Sequence, residues 1–424
     1  MKKSRTVPAE PRVESPRHLP LVDLLVEART ELFELAVRSG LKVLDTMLEE
    51  DRTALCGPRY VHVTCRRASR AGTVSSDVVL GGRKVAIRRP RVRAGGQEVP
   101  LPTFQAMADV DPLNRRVVEQ MLVGVATRRY ARSLEPVPAT MRSRGTSKSA
   151  VSRRFVAKTA AQLAAWQTTS LEALDLVGLL IDGVHIGDHC LIVALGIAAD
   201  GQKHALGLWD GSTENARVCQ DLLANLQSRG LRTDRSVLVI LDGSKALRKA
   251  VRATFGEAAL VQRCQVHKTR NILEYLSDRD HPWAQTILRR AYQATDVKTA
   301  QRLLLDLARR LEHEYPSAAE SVREGLDETL TVLTLKLSPR LRRSLATTNA
   351  AESLISRTRQ VKRNVKRWRG GQMMVRWVAA GILEAVKGFR RLKGYADMPT
   401  LVNALRARDR QLGLDTTEGD RQVA

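Results

Sequence analysis

The stretch Leu179-Leu180-Ile181-Asp182-Gly183-Val184-His185 decides the reading of this chain. Its aliphatic run is short and reads as a buried central strand. It gives way abruptly to an aspartate and a glycine. The same signature returns as Val237-Leu238-Val239-Ile240-Leu241-Asp242-Gly243. Open α/β sheets gather their reactive groups at the C-terminal ends of strands. One Asp-Gly there is ordinary turn chemistry. Two of them, in a strongly basic chain, point to paired metal-binding carboxylates beside a nucleic-acid surface.

The basic balance is large. Seventy Lys and Arg stand against 45 Asp and Glu, a formal net charge of +25. Such a charge suits a polyanion, with nucleic acid ahead of an anionic membrane surface. The length of 424 residues suits two or three domains, and 43% apolar residues suffice for their cores. No run of about 18 apolar residues is present to span a bilayer. The basic start, Met1-Lys2-Lys3-Ser4-Arg5, leads to Pro8, Glu10, Pro11 and Glu14 and not to an apolar signal core. Five scattered cysteines (Cys56, Cys65, Cys190, Cys219, Cys264) read as reduced thiols. A cytosolic protein is expected, with no membrane partner.

Outward from the two Asp-Gly signatures, strands are expected at 176–182, 190–198 and 203–209. A helix at 213–228, a strand at 236–242, a helix at 244–254, a short strand at 259–262 and a helix at 266–277 follow. This is the element order of an RNase H-like fold, in which the first and fourth strands lie side by side. Asp182 and Asp242 are then expected to face each other. The expected class is an α/β RNase H-like catalytic domain with an all-α insertion. A mostly helical DNA-binding region containing a small β-hairpin precedes it.

The domains expected are a flexible basic tail (1–20), an N-terminal DNA-binding and dimerisation region (21–170), and the catalytic core (175–280). The all-α insertion (281–345), a basic C-terminal helical segment (346–410) and a polar tail (411–424) complete the chain. Residues 21–50 repeat their apolar positions at helical spacing. Strands at 73–80 and 84–92 flank Gly81-Gly82, a hairpin signal. The second strand carries Arg88, Arg89 and Arg91, suited to a phosphate backbone. Residues 114–166 read as a helix, a turn, and a second helix opening at Ser147-Lys148-Ser149 with Ser152, Arg153 and Arg154. That pattern fits a helix-turn-helix reading the major groove, or a plain helical hairpin with a solvated basic face.

Phosphodiester cleavage and strand transfer need two divalent cations, one at the attacking oxygen and one at the leaving oxygen. Hard cations such as Mg²⁺, or Mn²⁺ in its place, take carboxylate oxygens. Two aspartates on adjacent strands supply part of such a site. The third acid is found by exception. Between Arg340 and Lys393 the only acids are Glu352 and Glu384, amid many Lys and Arg. Glu352 follows Thr347-Thr348-Asn349, where Thr or Asn can cap a helix. Glu384 lies in an apolar helix and reads as an internal ion-pair partner.

Several residues carry two readings. Cys264 and His267 form Cys-x-x-His, but no second ligand pair stands nearby for zinc. Active-site support, with the cysteine packed beneath the histidine, is the better reading. His185 suits a phosphate or metal-water contact equally with a plain loop. Cys56, His62 and Cys65 are too few for a metal site. Trp209 and Trp283 are read chiefly as core, while Trp368, beside Lys366 and Arg367, suits nucleic-acid contact. Arg357, Lys362 and Arg363 extend the same basic surface.

The chain resembles bacterial transposases of the Mutator family, the insertion-sequence relatives of plant Mutator elements. The resemblance rests on Leu180-Ile181-Asp182-Gly183, Leu241-Asp242-Gly243, the run from Gln262 to Asn271, Thr348-Asn349-Ala350-Ala351-Glu352-Ser353 and Val365-Lys366-Arg367-Trp368. Leu80-Gly81-Gly82-Arg83 and Pro90-Arg91-Val92-Arg93 add to it. It implies an Asp182, Asp242 and Glu352 triad holding two Mg²⁺ ions, with Cys264, His267, His185 and Asn349 in support. It also implies double-stranded DNA partners (terminal inverted repeats and target), a homodimer or larger assembly on DNA, and a short target duplication. An RNase H-like nuclease or resolvase without strand transfer, or an inactive DNA-binding relic, remains the alternative.

Overall fold

The computed structural model describes residues 20–61, 68–80, 83–109, 114–133, 143–145, 147–186, 189–211, 216–362, 365 and 370–414. The chain divides into two compact units. One takes residues 1–117 and 127–151, the other 118–126 and 152–424.

The first unit opens with a single long helix, α1 (Pro20–Cys56). Strands β1 (Ser69–Leu80) and β2 (Arg83–Ala94) pair antiparallel from Leu80 opposite Arg83, the expected hairpin extended at both ends. The free edge of β2 takes β3 (Gln97–Val99) at one end and β4 (Ser143–Gly145) at the other. Leu44 and Leu48 of α1 are buried with Val78, Val85, Ile87, Val92 and Leu101. Helix α2 (Pro102–Asp109) is tied back by Asp51, which accepts the Thr103 amide at 2.7 Å.

The helix-turn-helix expectation meets a different arrangement. Helix α3 (Asn114–Leu122) and helix α4 (Lys148–Thr168) are separated by residues 123–147. A helix-turn-helix needs a three- to four-residue turn, whereas this connection includes β4, paired to β2. Most of α4 also belongs with the second unit and not with the N-terminal region. The Trp166 indole donates to the Ala205 carbonyl at 2.9 Å, and Phe155 packs on Trp377 with ring centroids 4.4 Å apart.

The second unit is built on a five-stranded sheet of order β7-β6-β5-β8-β9. Its strands are β5 (Leu176–Ile186), β6 (His189–Ala198), β7 (Lys203–Gly211), β8 (Val237–Leu241) and β9 (Ala259–Arg263). Helix α5 (Ala216–Ser228) leads into β8, and α6 (Lys245–Phe255) leads on to β9. The pairs β7–β6 and β6–β5 are antiparallel, while β5–β8 and β8–β9 are parallel.

Both faces of the sheet are covered, so its strands are apolar throughout and alternate between two cores. Leu179, Ile181, Ile192, Ala194, Val239 and Leu241 meet α5 and α6. Leu180, Leu191, Val193, Leu238 and Ile240 meet residues of the C-terminal helices.

Helix α7 (Gln265–Leu273) leaves the sheet. The segment expected as an all-α insertion holds α8 (His281–Gln293), α9 (Val297–Leu311), α10 (Pro316–Arg323), α11 (Leu326–Thr329), α12 (Thr331–Thr334) and α13 (Pro339–Leu345). Then come α14 (Asn349–Lys362), α15 (Gly371–Val386) and α16 (Met398–Leu412). Glu384 is not an internal partner: it lies half-exposed on α15 and pairs with Lys387 one turn on. Trp209 and Trp283 pack at core margins, and the Trp283 indole donates to Asp280 at 3.0 Å.

An edge strand exposes unpaired backbone and is a liability unless covered. Here the returning insertion covers β9. The fully buried Gln262 side chain donates to the Thr329 carbonyl at 2.8 Å and accepts the Val332 amide at 2.8 Å. Thr331 adds a bond to the Val261 carbonyl at 2.7 Å. Gln262→Leu removes its bonds to the Val332 amide and to the Thr329 and Arg263 carbonyls, of which Thr329 keeps Gln265 at 3.1 Å, and is expected to cost about 2–4 kcal/mol. Urea denaturation of the purified variant measures this; a loss under ~0.5 kcal/mol would show the seam to be dispensable.

Candidate active site

The β5–β8 ladder runs in register from Gly178 opposite Leu238 to Ile181 opposite Leu241. One step further along that register lie Asp182 and Asp242. The pleat sends Ile181 and Leu241 to the α5–α6 side, so Asp182, the next residue of β5, turns to the opposite face. That is the face on which Ala351, Leu354 and Ile355 of α14 pack. Asp182 and the helix bearing Glu352 therefore share one side of the sheet, and Asp242 follows the neighbouring strand β8.

One detail departs from the sequence reading. Asp182-Gly183 does not end its strand, because β5 continues to Ile186 against β6, with Asp182 opposite Val193. Asp182 stands instead where the β8 partner stops, and only 4% of it is exposed. Asp242 lies just past β8, and its carboxylate accepts the Ser244 amide at 2.9 Å. Ser244 caps α6 by accepting the Leu247 amide, so the turn holding Asp242 is pinned to a helix start.

Glu352 is placed by the start of α14. Its amide donates to the Thr348 carbonyl at 3.0 Å, the first bond of the helix. Thr348 is fully buried and is held by Cys264: its amide and hydroxyl reach the thiol sulfur at 3.3 and 3.4 Å. The Gln265 amide donates to Ala346 at 2.9 Å and adds a second tie between the two helix starts. Thr347 accepts the Asn349 amide at 3.4 Å, whereas the expected supporting residue Asn349 is itself exposed.

His267, one turn into α7, closes the network. Its Nδ1 lies 3.4 Å from the Thr348 hydroxyl and its Nε2 lies 3.4 Å from Glu352 Oε1. The Cys264 sulfur beside it raises its pKa to about 9, against burial, and the Asp182 and Glu352 carboxylates add to the rise. The rise favours the protonated imidazole. Burial pushes the Cys264 thiol up, but hydrogen bonds with His267 and Thr348 outweigh it and leave its pKa lowered. Arg270 Nη1 stands 3.7 Å from the same Glu352 oxygen. That oxygen is shielded from solvent and makes no hydrogen bond of good geometry.

Arg263 is a functional candidate that the sequence alone does not single out. Its guanidinium donates to the Gly243 carbonyl at 3.2 Å and to the Glu324 carbonyl at 3.0 Å, with Glu324 Oε2 at 3.2 Å. A side chain at Gly243 (φ +106°) would meet Arg263 Nε at 2.4 Å. The glycine after Asp242 is thus required both by its backbone angle and by this close approach. The Asp242 turn is fastened through Arg263 to the far end of α10. The one signal for Arg263 in the sequence is its place directly before Cys264.

The remaining expected residues are scattered. Arg89 and Arg91 both engage Glu98, at 2.7 and 2.9 Å, and Arg89 also covers the Phe104 ring, while Arg88 is exposed. Ser147, Lys148, Ser149, Ser152 and Arg153 are exposed on α4, Arg154 is half-buried, and Ser147 caps the helix through the Ala150 amide. His185 lies on β5 opposite Cys190, with its side chain outside the described residues. The side chains of Arg357 and Lys362 also lie outside them, as do Arg363, Lys366, Arg367, Trp368, His62 and Cys65.

Carboxylates of this kind suit a hard divalent cation. The shielded Glu352 oxygen, which accepts no hydrogen bond, is the observation that fits one. Among the described residues, no three His, Cys, Asp or Glu side chains are gathered into a metal cluster. Glu352 here faces His267 and Arg270.

Lys268 shares the α10 terminus with Arg263, donating to the Glu324 carbonyl at 2.6 Å. Burial lowers its pKa to about 8, with Arg263 adding to the fall. A depressed amine disfavours the fold fully below pH 8, and that cost disappears as pH rises from about 8 to 10.5. Stability from this group therefore rises across that window. Lys268→Met is expected to gain on the order of 1–3 kcal/mol below pH 8 and to lose the rise. Thermal denaturation of both proteins from about pH 7 to 10 measures it; parallel curves would contradict the assignment.

The sequence is similar to those of known proteins. The chain is 34% identical over 192 residues to the transposase for insertion sequence element IS6120 of Mycolicibacterium smegmatis, covering 44% of this chain and 58% of that one. A probable insertion-sequence transposase of Corynebacterium diphtheriae is 34% identical over 208 residues, 47% of this chain and 59% of that one. The chain thus spans somewhat over half the length of these two relatives. The transposase for element ISRM5 of Rhizobium meliloti is 25% identical over 388 residues, 89% of this chain and 94% of that one. The profile described as "Transposase, Mutator family" matches residues 25–391, and the chain belongs to that family of transposases.

Proposed function

We propose that this protein is a DNA transposase with an RNase H-like catalytic domain, acting on the ends of an insertion sequence. The reading is carried by one observation. The parallel register of β5 and β8, in which Asp182 and Asp242 follow directly on the last paired residues, supports it together with the packing of α14 on the sheet. Family membership supplies the reaction class, DNA cleavage and strand transfer.

In this reading Asp182, Asp242 and Glu352 hold Mg²⁺. The bound ions would activate the attacking oxygen and stabilise the leaving one. The chain's own residues do the rest. Asp182, sunk at the strand edge, keeps its carboxylate in a low-dielectric setting where charge interactions are strong. Protonated His267 and Arg270 neutralise Glu352 and stand ready to donate to phosphate oxygens. Cys264 and Thr348 fix the helix start on which Glu352 rides. Water serves as the first nucleophile and the freed 3′-hydroxyl as the second, joining the end to a target strand.

Terminal inverted repeats and target DNA are the proposed partners. The basic surface of the chain supplies a sequence-independent attraction that weakens with salt. Two ends must be held for joining, so a dimer or larger assembly is part of the proposal. Helix α1, which exposes Leu35, Val43 and Met47, is its candidate contact. Among the described residues no helix is long and apolar enough to cross a membrane.

The test is strand transfer with purified protein, a labelled duplex carrying the element's end, a target plasmid and Mg²⁺. Asp182→Asn, Asp242→Asn and Glu352→Gln are each expected to lower joining by roughly 100-fold or more while duplex binding persists. Cleavage without joining would make the protein a nuclease. Binding without metal-dependent chemistry would make it a DNA-binding relic.

A further inference from the structure

Beside Glu352 the second unit contains a cavity of about 670 Å³, framed by α7, α8 and α13. Its size falls within the range of roughly 300–1,000 Å³ typical of small-molecule sites. Arg270, Arg289, Arg342 and Arg343 line it, and no Asp or Glu does so among the described residues. Arg342 bears the electrostatic cost: burial lowers its pKa, and the neighbouring Arg343 lowers it further. Arg270 has Glu352 at 3.7 Å, but no carboxylate lines the cavity itself, and such a concentration of guanidinium groups suits an external anion.

The rest of the lining is not that of a simple phosphate site. Leu273, Leu288 and Tyr292 give an apolar and aromatic wall, and Gln265, Gln285 and Gln293 bring side-chain amides. Glutamine amides can pair with base edges, and aromatic or apolar walls take the flat face of a base. Arg270 belongs both to the cavity and to the Glu352 ion pair, so an occupant of the cavity lies close to Glu352. Its concave lining has no room for an intact duplex.

We infer that this cavity receives one unpaired nucleotide of the donor DNA end, extruded next to the cleavage site, its phosphate held by the arginines and its base against Tyr292 and the glutamines. The inference rests on the DNA-cleaving reading above. Extrusion of a base frees the adjoining backbone to bend into the acidic site, which a stacked duplex does not allow. The helical insertion thereby gains a role in handling DNA, because α8 and α13, which form two of the cavity's walls, belong to it.

The test uses the full chain and element-end duplexes carrying 2-aminopurine, one position at a time, on both sides of the cleaved bond. Fluorescence is read at saturating protein, so differences in affinity do not enter. One or two adjacent positions are expected to brighten at least threefold. The exposed-side variants Arg289→Gln and Arg343→Gln, checked for unchanged thermal melting, are expected to abolish most of that rise. Binding and cleavage with no brightening at any position, or brightening that survives both substitutions, would overturn the inference and leave the transposase reading intact. Failure to bind the duplex at all would overturn both.

Discussion

The pairing of β5 with β8 is the constraint from which the site follows. Neighbouring parallel strands lie about 4.8 Å apart, which sets how close residues at equivalent positions of β5 and β8 can stand. Like charges at that distance are unfavourable unless cations or donors answer them. The structure answers with His267, whose imidazole feels both Asp182 and Glu352, and with Arg263 on the carbonyl beside Asp242. The residues between Gln262 and Arg270 therefore form the supporting half of the site, not a separate motif. Gln262 seals the edge strand, Arg263 fixes a turn, Cys264 holds a helix start, and His267 and Arg270 face the glutamate.

Cys264 illustrates why a sulfur suits this position. It is completely buried at the junction of β9 and α7, where a charged or strongly polar side chain would be costly. A thiol packs as a small apolar group yet accepts weak hydrogen bonds. It can thus take both the amide and the hydroxyl of Thr348 at the start of α14. A link 84 residues long in sequence is closed by one atom. The helical insertion can then fold as its own core, around Leu288, Leu304, Leu307 and Leu311, without disturbing the two ends it joins.

Much of the second unit is legible in the sequence because its strands are buried on both faces and read as unbroken aliphatic runs. The ends of β6, β7 and β9 fall within a residue or two of expectation. The continuation of β5 through Gly183 to Ile186 is not legible, since a glycine and a histidine carry no strand signal and only the β6 partner extends it. The link between α3 and α4 departs from expectation for a related reason. Ser143–Gly145 has no strand character of its own and is recruited by the open edge of β2. Arg263 carries no local signature because its guanidinium reaches to α10, 61 residues away in sequence. Of the site, the three acids are visible as exceptions to their surroundings, whereas the Thr348–Cys264 clasp depends on distances that only the fold creates.

Asp182, Asp242 and Glu352 are proposed to gather around one divalent-cation site. Replacing Mg²⁺ by Fe²⁺ and adding ascorbate and peroxide would generate hydroxyl radicals where the ion sits, and mass spectrometry would locate the resulting chain breaks. Breaks clustered around Asp182, Asp242 and Glu352, suppressed by excess Mg²⁺, are the predicted result. Breaks confined to other segments, or a pattern indifferent to Mg²⁺, would contradict the account.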